Sequence, residues 1–203
     1  MAKKRRSFRR RKPVLDYRKL FVIATEGRKT EPDYFRLFNS KEATIRLKVL
    51  PSKHRTSPRH VLERAEAEIK KEQLRKNDET WLVIDMDQWP LDQLEEVFAR
   101  CQFSGFSLAV SNPKFEYWLL LHFEDGGAVN SSRACSEKLR HYLPDYDKGN
   151  LAAHKLYSKI PHAIRRAKGK DRPPCKKWPE QNGSTVYLLV EKLFVQTTCL
   201  PKE

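Results

Sequence analysis

Three carboxylates stand where short apolar runs give out. Leu20-Phe21-Val22-Ile23-Ala24 leads into Thr25-Glu26-Gly27, and Trp81-Leu82-Val83-Ile84 leads into Asp85-Met86-Asp87. A short apolar run bounded by polar residues reads as a strand buried on both faces, the kind found in the middle of a parallel sheet. Ligands of such sheets bind beyond the carboxyl ends of the strands. Glu26, Asp85 and Asp87 gathered there would repel one another unless a cation neutralised them. Mg²⁺, or Mn²⁺ in its place, suits such a site because it takes hard oxygen ligands, keeps several waters and bridges to phosphate. Asp-x-Asp is also a common tripeptide, and acids at loop starts often cap helices, so spacing alone leaves a structural role open.

Other residues could join that chemistry. Glu116 lies six residues after a fourth apolar run, where it could add a carboxylate or serve as a first-turn acid favoured by the helix dipole. Arg28 and Lys29 follow Glu26 directly and could meet a phosphate entering the site. The tract from His154 to Trp178 carries Arg165, Arg166, Lys168 and Lys170 among further Lys and Arg, with Tyr157 and Trp178 interleaved. Cations interspersed with aromatics suit a backbone track with stacking partners for nucleic acid. Glu31 and Asp33 read as helix-start residues, His122 as a structural histidine, and Trp118 to Phe123 as core.

The elements that must position these residues follow from periodicity. Thr30 precedes Glu31-Pro32-Asp33, which predicts a helix capped by the Thr30 hydroxyl and carrying Tyr34, Phe35, Leu37 and Phe38 to the sheet. Ile45, Leu47 and Val49 alternate with Arg46 and Lys48, so the second strand has one wet face and belongs at an edge. Val61, Ala65 and Ile69 mark a helix, as do Leu91, Leu94, Val97 and Phe98; Ser107 to Val110 is a fourth strand. Alternating strands and helices imply α/β architecture with right-handed crossovers. With the second strand at an edge, the simplest winding is a four-stranded parallel sheet of order 2-1-3-4, which sets Glu26 and Asp85 at neighbouring strand ends. Beyond residue 111 helices are expected over 116–123, 136–142, 154–167 and 186–194, with loops at Pro144, Pro173-Pro174 and Asn182-Gly183.

The chain has 203 residues with 41 Lys plus Arg against 26 Asp plus Glu, a formal charge of +15. That balance favours a polyanionic partner, DNA or RNA, because each phosphate neutralised releases counterions. No apolar run approaches the roughly 20 residues of a spanning helix, and the basic N-terminus lacks the apolar stretch of a signal peptide. The expectation is a soluble, cytoplasmic protein without a membrane partner. Cys101, Cys135, Cys175 and Cys199 form no CxxC pair and read as scattered reduced thiols. Residues 1–13 hold eight cations and no acid, which keeps a free chain extended as a basic disordered arm.

Three segments together carry a family resemblance: Thr25-Glu26-Gly27-Arg28-Lys29-Thr30-Glu31-Pro32-Asp33-Tyr34-Phe35, then Val83-Ile84-Asp85-Met86-Asp87, then Ser111-Asn112-Pro113-Lys114-Phe115-Glu116-Tyr117-Trp118-Leu119-Leu120-Leu121-His122-Phe123. In this order they resemble the RloB family, over most of residues 15–195. The resemblance implies a toprim-like (Rossmann-like) core over 14–125 and a helical C-terminal extension over 126–203 packed on it. It implies Glu26 in acid–base or metal-binding work, with Asp85 and Asp87 holding Mg²⁺. It further implies a nuclease-like role in prokaryotic phage defence, near restriction-modification and abortive-infection loci, with an ATPase as a partner. Without a tyrosine nucleophile or polymerase module, phosphodiester hydrolysis is favoured among toprim chemistries; the alternative is a non-catalytic nucleic-acid-binding sensor or effector partner of the ATPase.

Overall fold

The computed structural model describes residues 18–39, 43–52, 56–86, 89–144 and 151–198. The expected basic arm, Asp87 and Cys199 lie outside the described residues.

Five strands form one sheet: β1 (Lys19–Thr25), β2 (Ile45–Leu50), β3 (Glu79–Asp85), β4 (Ser107–Asn112) and β5 (Gly183–Ser184), in the order β2-β1-β3-β4-β5. The first four are parallel and follow the expected order, with β2 at the edge. The expectation of four strands is corrected by β5, a two-residue strand that pairs antiparallel with Ser111 and Asn112. It falls where the Asn182-Gly183 turn signal predicted only a loop. Thr185 extends the contact, its N–H donating to the Val110 carbonyl and its Oγ1 accepting the Val110 N–H.

Eight α-helices are described: α1 (Thr30–Phe35), α2 (Pro58–Ile69), α3 (Leu91–Ser104), α4 (Phe115–Leu120), α5 (Ser132–Tyr142), α6 (Ala153–Tyr157), α7 (Ile160–Lys170) and α8 (Val186–Thr198). Successive side chains of a strand point to opposite faces, so each buried strand feeds two cores. Phe21, Ile23, Trp81 and Val83 join residues of α1, α4, α5, α7 and α8 in one cluster. Ala24, Leu82, Ile84 and Val110 join residues of α2 and α3 in the other. The sheet is thus the middle of three layers, and the C-terminal helices share the core of its first face.

Two helix boundaries depart from expectation for local reasons. The helix expected over 154–167 is two helices, and Pro161, which has no N–H to donate, stands in the first turn of the second. Thr30 is the first residue of α1 and makes no capping hydrogen bond from the cap position, which Lys29 occupies. At the end of α3, Gly105 takes φ +68, the left-handed conformation that lets the chain turn into β4. Among the described residues, no helix is long and apolar enough to cross a membrane.

Candidate site at the strand ends

The ends of β1, β3 and β4 are tied together by side chains that emerge just past them. The Glu26 N–H donates to the Val83 carbonyl at 3.0 Å, extending the β1–β3 ladder by one residue. The Glu26 side chain, only 8% exposed, then turns toward β3. Its Oε2 accepts the Asp85 N–H at 3.0 Å and its Oε1 accepts the Trp89 indole N–H at 2.8 Å. Asp85 passes the connection on: its Oδ1 accepts the N–H of Phe115, the first residue of α4, at 2.8 Å. The Met86 N–H is shared between the carbonyls of Ser111 and Pro113. Glu26 and Asp85 therefore meet at adjacent strand ends, as the sheet order predicts.

The loop that leaves Glu26 is held from within. Glu31, 5% exposed, reaches back from the first turn of α1 so that its Oε1 accepts the Gly27 N–H at 2.9 Å. The carboxylate lies where a side chain on residue 27 would have to go, since a Cβ built there comes 1.8 Å from Glu31 Oε2. The Gly27 carbonyl accepts the Ser52 N–H and the Thr25 hydroxyl, which ties the loop to the chain beyond β2. From α2, the Arg64 guanidinium donates to the Thr25 carbonyl at 2.6 Å. Burial lowers the guanidinium from its ordinary value, and the nearby Glu26 charge acts against that shift.

Behind the site, α1 and α4 are joined by a buried polar pair. His122 Nδ1 faces the Trp118 carbonyl at 3.1 Å and must donate to it, so the neutral ring accepts the Tyr34 hydroxyl on Nε2, at 3.2 Å. Burial pushes His122 down to about 4 from 6.5; the hydrogen bonds from its ring to the backbone oppose the shift, and the charges of Arg166 and Lys159 add to it. Phe35, Phe38, Phe115 and Trp118 surround Tyr34, three of them edge-on within 6.0 Å.

The remaining candidates fall in different places. Glu116, 3% exposed, lies in the first turn of α4 one residue past the Asp85 contact. Arg28 and Lys29 are exposed on the loop after Glu26. In the basic tract, Arg165 and Lys170 are exposed, with the Arg165 guanidinium against His162 Nδ1 at 3.3 Å. Arg166 is turned inward: Nη1 donates to the Leu121 carbonyl at 2.8 Å and Nε to Asp125 at 3.0 Å. Lys168 pairs with Glu191 at 2.5 Å. Trp178 is a core residue, 7% exposed and edge-on to Phe98, so it is no stacking platform.

Arg64, Trp89 and the Glu31–Gly27 contact escaped sequence reasoning. Arg64 carries a faint signal, because it stands three residues after Val61 and one before Ala65, on the border of a buried helical stripe. Trp89 is a lone aromatic in a loop, and nothing in its spacing announces a carboxylate partner. Among the described residues, no three Asp, Glu, His or Cys side chains gather to hold a metal ion. Glu26 and Asp85 stand at neighbouring strand ends, joined through the Asp85 N–H, and Asp87 follows two residues later in the sequence. A carboxylate oxygen carries two lone pairs, so the N–H donors on these groups set their direction without barring a cation, and carboxylate oxygens are the hard donors that Mg²⁺ or Mn²⁺ takes.

No curated protein and no solved structure matches the chain. A family model described as RloB-like protein matches residues 21–193, which takes in the sheet but for the first two residues of β1 and the candidate site at the strand ends, and the chain belongs to that family.

Proposed function

We propose that the chain is a toprim-type, metal-dependent phosphodiesterase acting on nucleic acid, a nuclease of prokaryotic phage defence working in the cytoplasm. The observation that carries this reading is the meeting of Glu26 and Asp85 at the adjacent carboxyl ends of β1 and β3. Asp85 and Asp87 hold the cation, Mg²⁺ or Mn²⁺, with Glu116 as a further carboxylate from α4. A bound divalent cation supplies positive charge against a phosphoryl oxygen. Glu26, held in one orientation by two N–H donors, completes the cation site or accepts the proton of the attacking water. Arg28 and Lys29 flank Glu26 and draw a phosphate in, and the formal charge of +15 attracts the polymer.

One observation favours a second reading, a non-catalytic nucleic-acid-binding partner of a defence ATPase. Glu26 and Asp85 both brace backbone amides, work that a purely structural carboxylate also does. Labelled DNA and RNA pools incubated with Mg²⁺, Mn²⁺ or EDTA separate the two. Cleavage that needs the cation and disappears in Glu26→Gln supports the phosphodiesterase. Retained binding with no cleavage, with or without an ATPase partner, supports the binding protein.

A further inference from the structure

We infer that Trp89 is the positioning residue for Glu26, so that cation affinity at the strand ends depends on an indole N–H four residues beyond Asp85. The inference rests on the metal-site reading above. An indole nitrogen only donates, so the 2.8 Å contact makes Glu26 Oε1 an acceptor, while Oε2 accepts the amide of Asp85 at 3.0 Å. One carboxylate is thereby clamped from two sides, by the backbone at the end of β3 and by the indole. The clamp has a fixed base as well: Trp89 is half-buried and packs, with Met86 and Leu50, against the core cluster of the second face. An aromatic body held by packing with its polar tip at a partner is the usual way a buried indole is satisfied.

Carboxylates that ligate metals are generally oriented by such outer hydrogen bonds, and losing one typically costs roughly 10–100-fold in affinity. Trp89→Phe removes the N–H and keeps most of the ring. Three measurements on the full chain test the role. In the ¹H–¹⁵N spectrum the Trp89 indole signal, identified by its absence in Trp89→Phe, moves in Glu26→Gln. In the unsubstituted protein, Mn²⁺ broadens that signal ahead of those of Trp81, Trp118 and Trp178, a readout that needs no variant to fold. By calorimetric titration, Trp89→Phe binds Mn²⁺ at least roughly tenfold more weakly than the unsubstituted chain. Mn²⁺ affinity in Trp89→Phe within about twofold of the unsubstituted chain, or an indole signal unmoved in Glu26→Gln, overturns the role and leaves the metal site standing. A chain that takes up no Mn²⁺ at all, while the Glu26→Gln shift persists, overturns the metal reading and this role with it.

Discussion

The Asp85 carboxylate accepts the backbone N–H of Phe115 at 2.8 Å, so the last residue of β3 also starts α4. This capping contact and the charge of the same group pull substitutions in different directions. Asp85→Asn keeps an oxygen for the Phe115 amide and removes one negative charge beside Glu26, so metal-free stability should stay near that of the unsubstituted chain. Asp85→Ala loses the cap and should cost about 1 kcal/mol. Urea unfolding in EDTA measures the difference, and Mn²⁺ titration should show that both variants lose affinity. Equal stability of the two variants would mean that the Phe115 contact contributes nothing.

Gly27 and Glu31 form the second brace of the site. Gly27 does not have a positive φ, so its exclusion of side chains comes from contact alone, with the built Cβ 1.8 Å from Glu31 Oε2. Gly27→Ala should expel the carboxylate and leave the Gly27 amide without that acceptor, at a cost of about 1–3 kcal/mol. In a Glu31→Ala background the space is open, and the same substitution should cost much less. A double-mutant cycle by chemical denaturation reads the coupling; additive effects would separate the two residues.

Acid should act on the fold through His122. The folded ring is held neutral down to about 4, whereas the unfolded chain takes up a proton near 6.5. Between these values the unfolded state binds more protons, so stability falls as pH drops from 6.5 toward 4 and levels off below. The loss attributable to this one group is about 3 kcal/mol. His122→Gln cannot titrate and should show a shallower decline over that window. Matching slopes in thermal melts of the two proteins would place the buried ring in contact with water.

The sheet was legible because its strands are continuous apolar runs, and its order followed from the single alternating strand, whose Arg46 and Lys48 mark an edge. β5 was not legible: Gly183 and Ser184 have no strand character of their own and pair only because Ser111 and Asn112 are brought beside them. The meeting of Glu26 with Asp85 followed from strand order. Their actual partners did not, since backbone amides leave no mark in a sequence and Trp89 sits in a loop without periodicity. The expected Thr30 cap failed because the helix starts one residue earlier, with Lys29 at the cap and its carbonyl accepting the Asp33 N–H. Trp178 was misread for a simpler reason: it is surrounded by lysines in sequence but by Phe98 and the second core in space.

The basic tract divides by burial into residues that hold the fold and residues that face solvent, and the two sets predict opposite outcomes. The Arg166 guanidinium bonds the Leu121 carbonyl just past α4 and also reaches Asp125. Hydrogen bonds from a charged donor are worth about 1.5–3 kcal/mol, so Arg166→Ala should lower stability by an amount of that order. Any fall in nucleic-acid binding would then follow from the weakened fold. Arg165 and Lys170 are exposed on α7, and exposed charges contribute little to folding. Reversing both to Glu should leave the melting temperature within a degree or two, a shift of about 0.5 kcal/mol or less. If this face follows a phosphate backbone, the same double reversal should weaken binding to DNA or RNA and reduce the slope of log affinity against log salt by about 2, one for each lost phosphate contact. Salt titrations by fluorescence anisotropy give both quantities at once. Unchanged affinity and slope in Arg165→Glu/Lys170→Glu, with the fold intact, would take α7 out of the interface and move the search for the phosphate track to Arg28 and Lys29 beside Glu26.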